Sequence, residues 1–205
     1  MDLNIWITVL LVGTIGVISP GPNWAVIIKN SLYSRSLGVS TVAGIATGSL
    51  IHIVYCLIGI GVIISKSILL FNTLKWIGVA YLLYIGIKLL RSKKQSPAAI
   101  IKNNESTTWK AFRSGFLTDM LNPKATLFYL AIFTQVIEPN TNIFVQSVYG
   151  LTVWSVEILW HMALVFFLTH KSVRNYFLSI SHWIERVTGT ALILLGIRLA
   201  FLKND

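Results

Sequence analysis

A chain of 205 residues with 55% hydrophobic and only 12% charged residues carries about half the roughly 25% charge of a soluble domain. The length accommodates about six membrane spans of roughly 20 residues each and leaves no room for a separate soluble domain. The net charge of +10 does not call for nucleic acid, because the basic residues cluster between apolar stretches, where topology and anionic lipid account for them. The single cysteine, Cys56, excludes a disulfide framework, a CxxC redox pair and a cysteine metal cluster within one chain.

The first residues, Met1-Asp2-Leu3-Asn4, lack the basic n-region of a cleavable signal peptide, so the first apolar segment is expected to be retained. It forms span one, about residues 4–28. Ser19-Pro20-Gly21-Pro22-Asn23 interrupts it. Proline removes a backbone donor and clashes with the preceding turn, so the helix kinks or opens there. Freed backbone groups cannot face lipid and must line a protein-packed or watery cavity.

Span two, about 38–64, opens with Gly38, Gly44 and Gly48, a small-residue stripe read as helix packing rather than as a substrate site. His52 and Tyr55 in this span are likewise read as packing residues. Span three is about 68–90. The segment RSKKQSPAAIIKNNESTTWKAF, residues 91–112, is the only long polar connection; it is expected to be a loop, partly disordered, and divides the chain in half.

Span four, about 113–137, is broken in turn by Asn122-Pro123-Lys124. Asp119 and Lys124 flank this break. They form either a structural ion pair or a site pair, in which Lys124 holds a substrate carboxylate and an acid holds an amine or a proton. Span five, about 143–169, contains Glu157 and, four residues on, His161 on the same helix face. Intramembrane charges face a cavity and a partner, which gives Glu157 a functional reading. His161 is read as satisfied near the interface. A metal trio of His52, His161 and Glu157 has no support in the spacing. Span six is about 183–202.

Twelve basic residues fall after spans one, three and five: Lys29, Arg35, Lys88, Arg91, Lys93, Lys94, Lys102, Lys110, Arg113, Lys171, Arg174 and Arg186. Lys66, Lys75, Arg198 and Lys203 fall on the other side. The positive-inside rule then puts the middle loop in the cytoplasm and both termini outside. Span three ends Gly86-Ile87-Lys88 and span six Gly196-Ile197-Arg198, and spans one and four share a proline break. Three spans per half is an odd number, so the second half enters from the opposite face. The expected fold is therefore an all-α polytopic membrane protein, a single transmembrane domain over 1–205. Two inverted three-helix repeats, about 4–90 and 113–202, carry broken helices one and four.

Paired breaks in two halves point to a transporter's substrate site. Half-helix N-termini after Pro22 and Pro123 suit a carboxylate. No Ser–His–Asp order, phosphate-cradling loop or HExxH occurs, which leaves coupling to an ion gradient. Glu157 has no basic residue in its own span and is the expected proton carrier; Asp119 is the amine or structural partner.

Ser19-Pro20-Gly21-Pro22, the glycine-rich span two, Leu74-Lys75-Trp76-Ile77-Gly78-Val79-Ala80-Tyr81-Leu82, Asn122-Pro123-Lys124 and the acid Glu157 together resemble the LysE/RhtB family of bacterial amino-acid exporters over essentially the whole chain. The resemblance implies a multi-pass protein of the bacterial cytoplasmic membrane that expels amino acids such as threonine, homoserine, leucine or lysine. The heavy-metal and redox branches of that superfamily carry cysteines this chain lacks. The expected partners are a small amino-acid substrate, protons and the lipid bilayer, with no nucleic acid and no cofactor. A homodimer and the identity of the amino acid stay open. So do a membrane-embedded enzyme using Glu157 and His161 as acid and base, a non-transporting membrane component, and an exporter of another small solute or metal ion. The expected substrate-binding residues are Ser19, Pro20, Gly21, Pro22, Asn23, Asp119, Asn122, Pro123 and Lys124.

Overall fold

The structure is a computed structural model. It describes residues 2–66, 68–91, 107–138 and 141–168, together with 179–180, 182–183, 186–187, 189–194 and 196–197. The described residues include, in order, the helices α1 (Leu3–Ile18), α2 (Pro22–Ser31), α3 (Arg35–Lys66), α4 (Ile68–Leu90), α5 (Thr108–Met120), α6 (Pro123–Val136) and α7 (Ile143–Leu168). No strand occurs among the described residues.

Both expected breaks are present. Span one divides into α1 and α2, which meet at 59°. Ser19 leaves the helix with ψ 120°, and Gly21 is extended ahead of Pro22 at the first turn of α2. Span four divides into α5 and α6, with Asn122 extended and Pro123 starting α6. Proline fits a first helical turn because the missing N–H has no acceptor there. Spans two, three and five emerge as α3, α4 and α7. At its described positions the sixth segment is helical.

One boundary differs. Residues 108–112 belong to α5 rather than to the central loop, because the Thr107 side chain caps the helix by accepting from the Lys110 N–H. The rest of that loop, 92–106, lies outside the described residues, and so does the expectation of disorder in it.

Among the described residues, α3 and α7 are long and apolar enough to cross a membrane, and the bent α1–α2 pair adds a third such element. Their outward faces carry Leu3, Ile7, Leu11, Ile51, Val54, Ile58, Leu159 and Phe166. A bilayer lets such side chains stay outside, while polar groups must find partners within the bundle.

Two apolar clusters form the interior. Val9, Val12, Ile53, Cys56, Tyr129, Phe133 and Val153 belong to one. Trp24, Ile27, Val42, Ile45, Leu164 and Val165 belong to the other. Along α3, Ser49 and His52 fall between Ile45 and Ile53; along α7, Glu157 and His161 fall between Val153 and Leu164; the α1–α2 break falls between Val12 and Trp24. A polar layer is thus held between two apolar ones.

The glycine stripe is packing, as its spacing suggests. A Cβ on Gly44 would overlap the Phe112 carbonyl of α5, and one on Gly115 would overlap the Thr41 carbonyl of α3. A Cβ on Gly48 would stand 2.7 Å from Asp119 Oδ2. Glycine here lets the α5 backbone come close enough to α3 to carry Asp119 inside.

Candidate functional site

Lys124 joins the two breaks. The end of α1 leaves carbonyls without partners, and α1 has no basic residue in its last turn. The Lys124 ammonium, from the start of α6, supplies what is missing. It donates to Ser19 O at 2.7 Å, to Ser19 Oγ at 2.7 Å and to Pro20 O at 3.2 Å. A cation at a helix C-terminus also meets the negative end of its dipole.

Asp119 closes the same junction from α5. Its side chain is fully buried. Asn23 Nδ2 donates to Oδ1 at 2.7 Å and Ser49 Oγ to Oδ2 at 3.2 Å. His52 Nε2 lies 3.0 Å from the Asp119 backbone carbonyl and 3.6 Å from Oδ2. A carbonyl only accepts, so this ring nitrogen carries the proton. The Tyr55 hydroxyl then donates to Nδ1. Asn122 Nδ2 reaches Asn23 Oδ1 at 3.4 Å, and Asn122 Oδ1 caps the Lys124 N–H at 3.0 Å. Asn23, Asp119 and Asn122 therefore brace one break against the other.

The two half-helix N-termini are not equivalent. Asn122 caps α6 with its side chain, whereas Gly21 has none to offer α2. The first turn of α2 therefore has no side-chain cap, and the positive end of its dipole lies at the break.

A cavity of about 440 Å³, including its mouth, lies at this junction. Ser19, Gly21, Asn23 and Trp24 line it from the first break, and Asn122 and Lys124 from the second. Phe128, Tyr129, Glu157 and His161 form the rest of its polar and aromatic wall. On its floor the Tyr129 hydroxyl donates to Glu157 Oε2 at 2.9 Å. His161 Nδ1 stands 4.0 Å from Glu157 Oε1, beyond hydrogen-bond reach, and has no hydrogen-bond partner among the described residues.

The structure thus brings together Ser19, Gly21, Asn23, Asn122, Lys124 and Glu157 around one cavity, and leaves Asp119 behind its wall, with its oxygens already engaged. His161 is buried in this wall instead of sitting at an interface. His52 is a partner of Asp119 as well as a packing residue. The signal for it was its position three residues after Ser49 and three before Tyr55, on one face of α3. Tyr129 carried no such signal, being one aromatic among several in an apolar helix. His52, His161 and Glu157 do not assemble: among the described residues no three groups of metal-ligating type come together.

Known proteins match the chain along most of its length. The model of the family described as LysE type translocator matches residues 14–203. The uncharacterized membrane protein YrhP of Bacillus subtilis is 32% identical over 194 residues, 89% of this chain and 91% of its own length. A membrane protein of Vibrio cholerae is 31% identical, over 78% of each chain. A homoserine/homoserine lactone efflux protein of Salmonella typhimurium is 33% identical over 141 residues, 68% of each chain. No solved structure matches. With a family match that spans both breaks and the cavity between them, the chain belongs to the LysE type translocators, a family of membrane proteins.

Proposed function

We propose that this protein is a secondary exporter of an amino acid or close derivative, of the homoserine or threonine kind, in the cytoplasmic membrane of a bacterium. The single observation that carries the reading is the cavity walled by residues of both helix breaks and by an intramembrane acid. Efflux of homoserine and its lactone by a relative at 33% identity supports the substrate class.

The working unit is one transmembrane domain over 1–205 with six spans, α1–α2 and α5–α6 counting as one each. Inverted repeats find support in exchanged packing: α1 lies along α7, α5 lies along α3, and the third helices of the two halves cross where Gly86 meets Gly189. The substrate carboxylate takes the N-terminal end of α2, which no side chain caps, within the positive field of Lys124, with Ser19, Pro20, Gly21, Pro22, Asn23, Asn122 and Pro123 shaping the seat. Asp119 serves as the structural partner that holds the breaks together. Glu157 carries a proton inward as solute leaves.

Purified protein in liposomes, loaded with homoserine, threonine or leucine, tests the reading. Imposing an acidic exterior should drive efflux of at least one of them. Pro20→Ala and Pro123→Ala should each abolish it with the protein still in the membrane; normal flux in both would remove the site from the breaks. Glu157→Gln should lose efflux against a gradient and keep solute exchange, which needs no net proton movement. If that variant still concentrates solute under a pH difference, Glu157 is not the carrier.

A further inference from the structure

We propose that Glu157 and His161 together form the seat of the substrate's ammonium group, and that proton and ammonium compete for the one Glu157 carboxylate. This rests on the exporter reading above and adds to it where the amine goes and how coupling arises.

The geometry carries the assignment. Glu157 Oε2 is taken by Tyr129, but Oε1 faces His161 Nδ1 across a 4.0 Å gap that no protein hydrogen bond spans. Both residues line the cavity, and both are buried, with 6% and 2% of their surface exposed. His161 Nδ1 is a buried polar atom without a hydrogen-bond partner among the described residues. Such an atom is costly unless something fills its valence. A nitrogen placed about 2.8 Å from each of the two atoms would subtend an angle of about 90°, close to the spread of an ammonium's hydrogens. With its proton on Nε2, a neutral His161 presents Nδ1 as an acceptor beside the carboxylate oxygen, and an ammonium offers only donors. The pair is one helical turn apart on α7, so the seat is rigid.

The alternative acid does not fit the role. Asp119 is fully buried, accepts from Asn23 and Ser49, and does not line the cavity. Glu157 and the α2 N-terminal residues Gly21, Asn23 and Trp24 line the same cavity.

One carboxylate with two cationic claimants gives antiport directly. A protonated Glu157 has lost the charge that holds an ammonium, and a seated ammonium excludes the proton. The groups acting on Glu157 besides His161 are Tyr129 and Lys124 from α6, Asp119 from α5, and the Ser49 hydroxyl from α3, with His52 stacked behind Tyr129. The lining residues of α1 and α2 include no titratable side chain.

The test is exchange in liposomes, using homoserine, threonine and leucine beside their N-acetyl derivatives, at a series of equal pH values on both sides. Protons should raise the KM for the free amino acid and leave the maximal rate unchanged, and the N-acetyl forms should not be exchanged. Glu157→Gln should raise the KM roughly ten- to hundredfold, the effect of one charge-assisted hydrogen bond, and flatten its pH dependence. His161→Leu should raise the KM severalfold, and His161→Asn, which restores an acceptor, should recover most of the loss. An unchanged KM in Glu157→Gln, or exchange of N-acetyl forms at the wild-type rate, overturns the seat while leaving the exporter reading intact. Methylamine gives a readout independent of which amino acid is carried. It should protect Glu157 from a hydrophobic carbodiimide, read by mass spectrometry, whereas N-methylacetamide should not; equal labelling with and without methylamine overturns the seat on its own.

Discussion

Asp119 can lie at zero exposure because donors from two other helices converge on it. Asn23 comes from the turn after the first break, and Ser49 and His52 from one face of α3. Buried polar groups must be paired, and removing the carboxylate strands Asn23 and Ser49 together, while His52 keeps the Asp119 backbone carbonyl. Asp119→Ala should therefore cost about 1–3 kcal/mol for each donor left without a partner. Asp119→Asn, which keeps one carbonyl oxygen for Asn23, should cost less. Unfolding by denaturant in detergent micelles measures both. An alanine variant as stable as the wild type would mean that the brace contributes nothing. The same residue marks the limit of what a sequence conveys. Asp119 and Lys124 stand five positions apart and look like a pair, yet the break between them sends the lysine to Ser19 and Pro20 and the aspartate to Asn23, Ser49 and His52. Those partners lie at separations of 67 to 105 residues along the chain, beyond any local periodicity.

At the scale of elements, proline chemistry acts locally, so both breaks and the helices around them were legible before the structure. The stripe of Gly38, Gly44 and Gly48 also announced a close helix contact, but the partner could be found only in three dimensions. For Gly44 and Gly48 that partner is α5, which offers Gly115 in return, while Gly38 faces Ser31 of α2 and Val165 of α7. Gly44→Val and Gly115→Val should each push α3 and α5 apart, since the added atoms meet backbone carbonyls that cannot rotate away. The expected loss is about 1–3 kcal/mol or more, with Asp119 drawn from its donors. Gly59 has open space where its Cβ would go, so Gly59→Ala should leave stability unchanged. Thermal unfolding of the three variants in the same detergent compares them; equal midpoints would mean that the α3–α5 contact tolerates spacing. Trp154, whose indole donates to the Ala46 carbonyl at 2.8 Å, and Trp6, which donates to Thr152 Oγ1 at 3.0 Å, tie α7 to α3 and to α1. These two indoles serve contacts between helices.

At the scale of the molecule, orientation follows from charge and not from packing. Helices packed in one bundle keep the same contacts whichever way up the bundle sits, so the decisive term is the cost of moving cations across the membrane during insertion. Twelve of the seventeen lysines and arginines fall on the side of the central loop and four on the other, with Lys124 retained within the bundle by Ser19 and Pro20. The asymmetry predicts residues 91–112 in the cytoplasm and both termini outside. Cys56 is the only native cysteine, so a Cys56→Ser background allows one thiol to report one position. A cysteine at position 98 should resist an impermeant maleimide added to intact cells and react once the membrane is opened. A cysteine at position 2 should react in intact cells. Labelling of position 98 from outside would invert the topology.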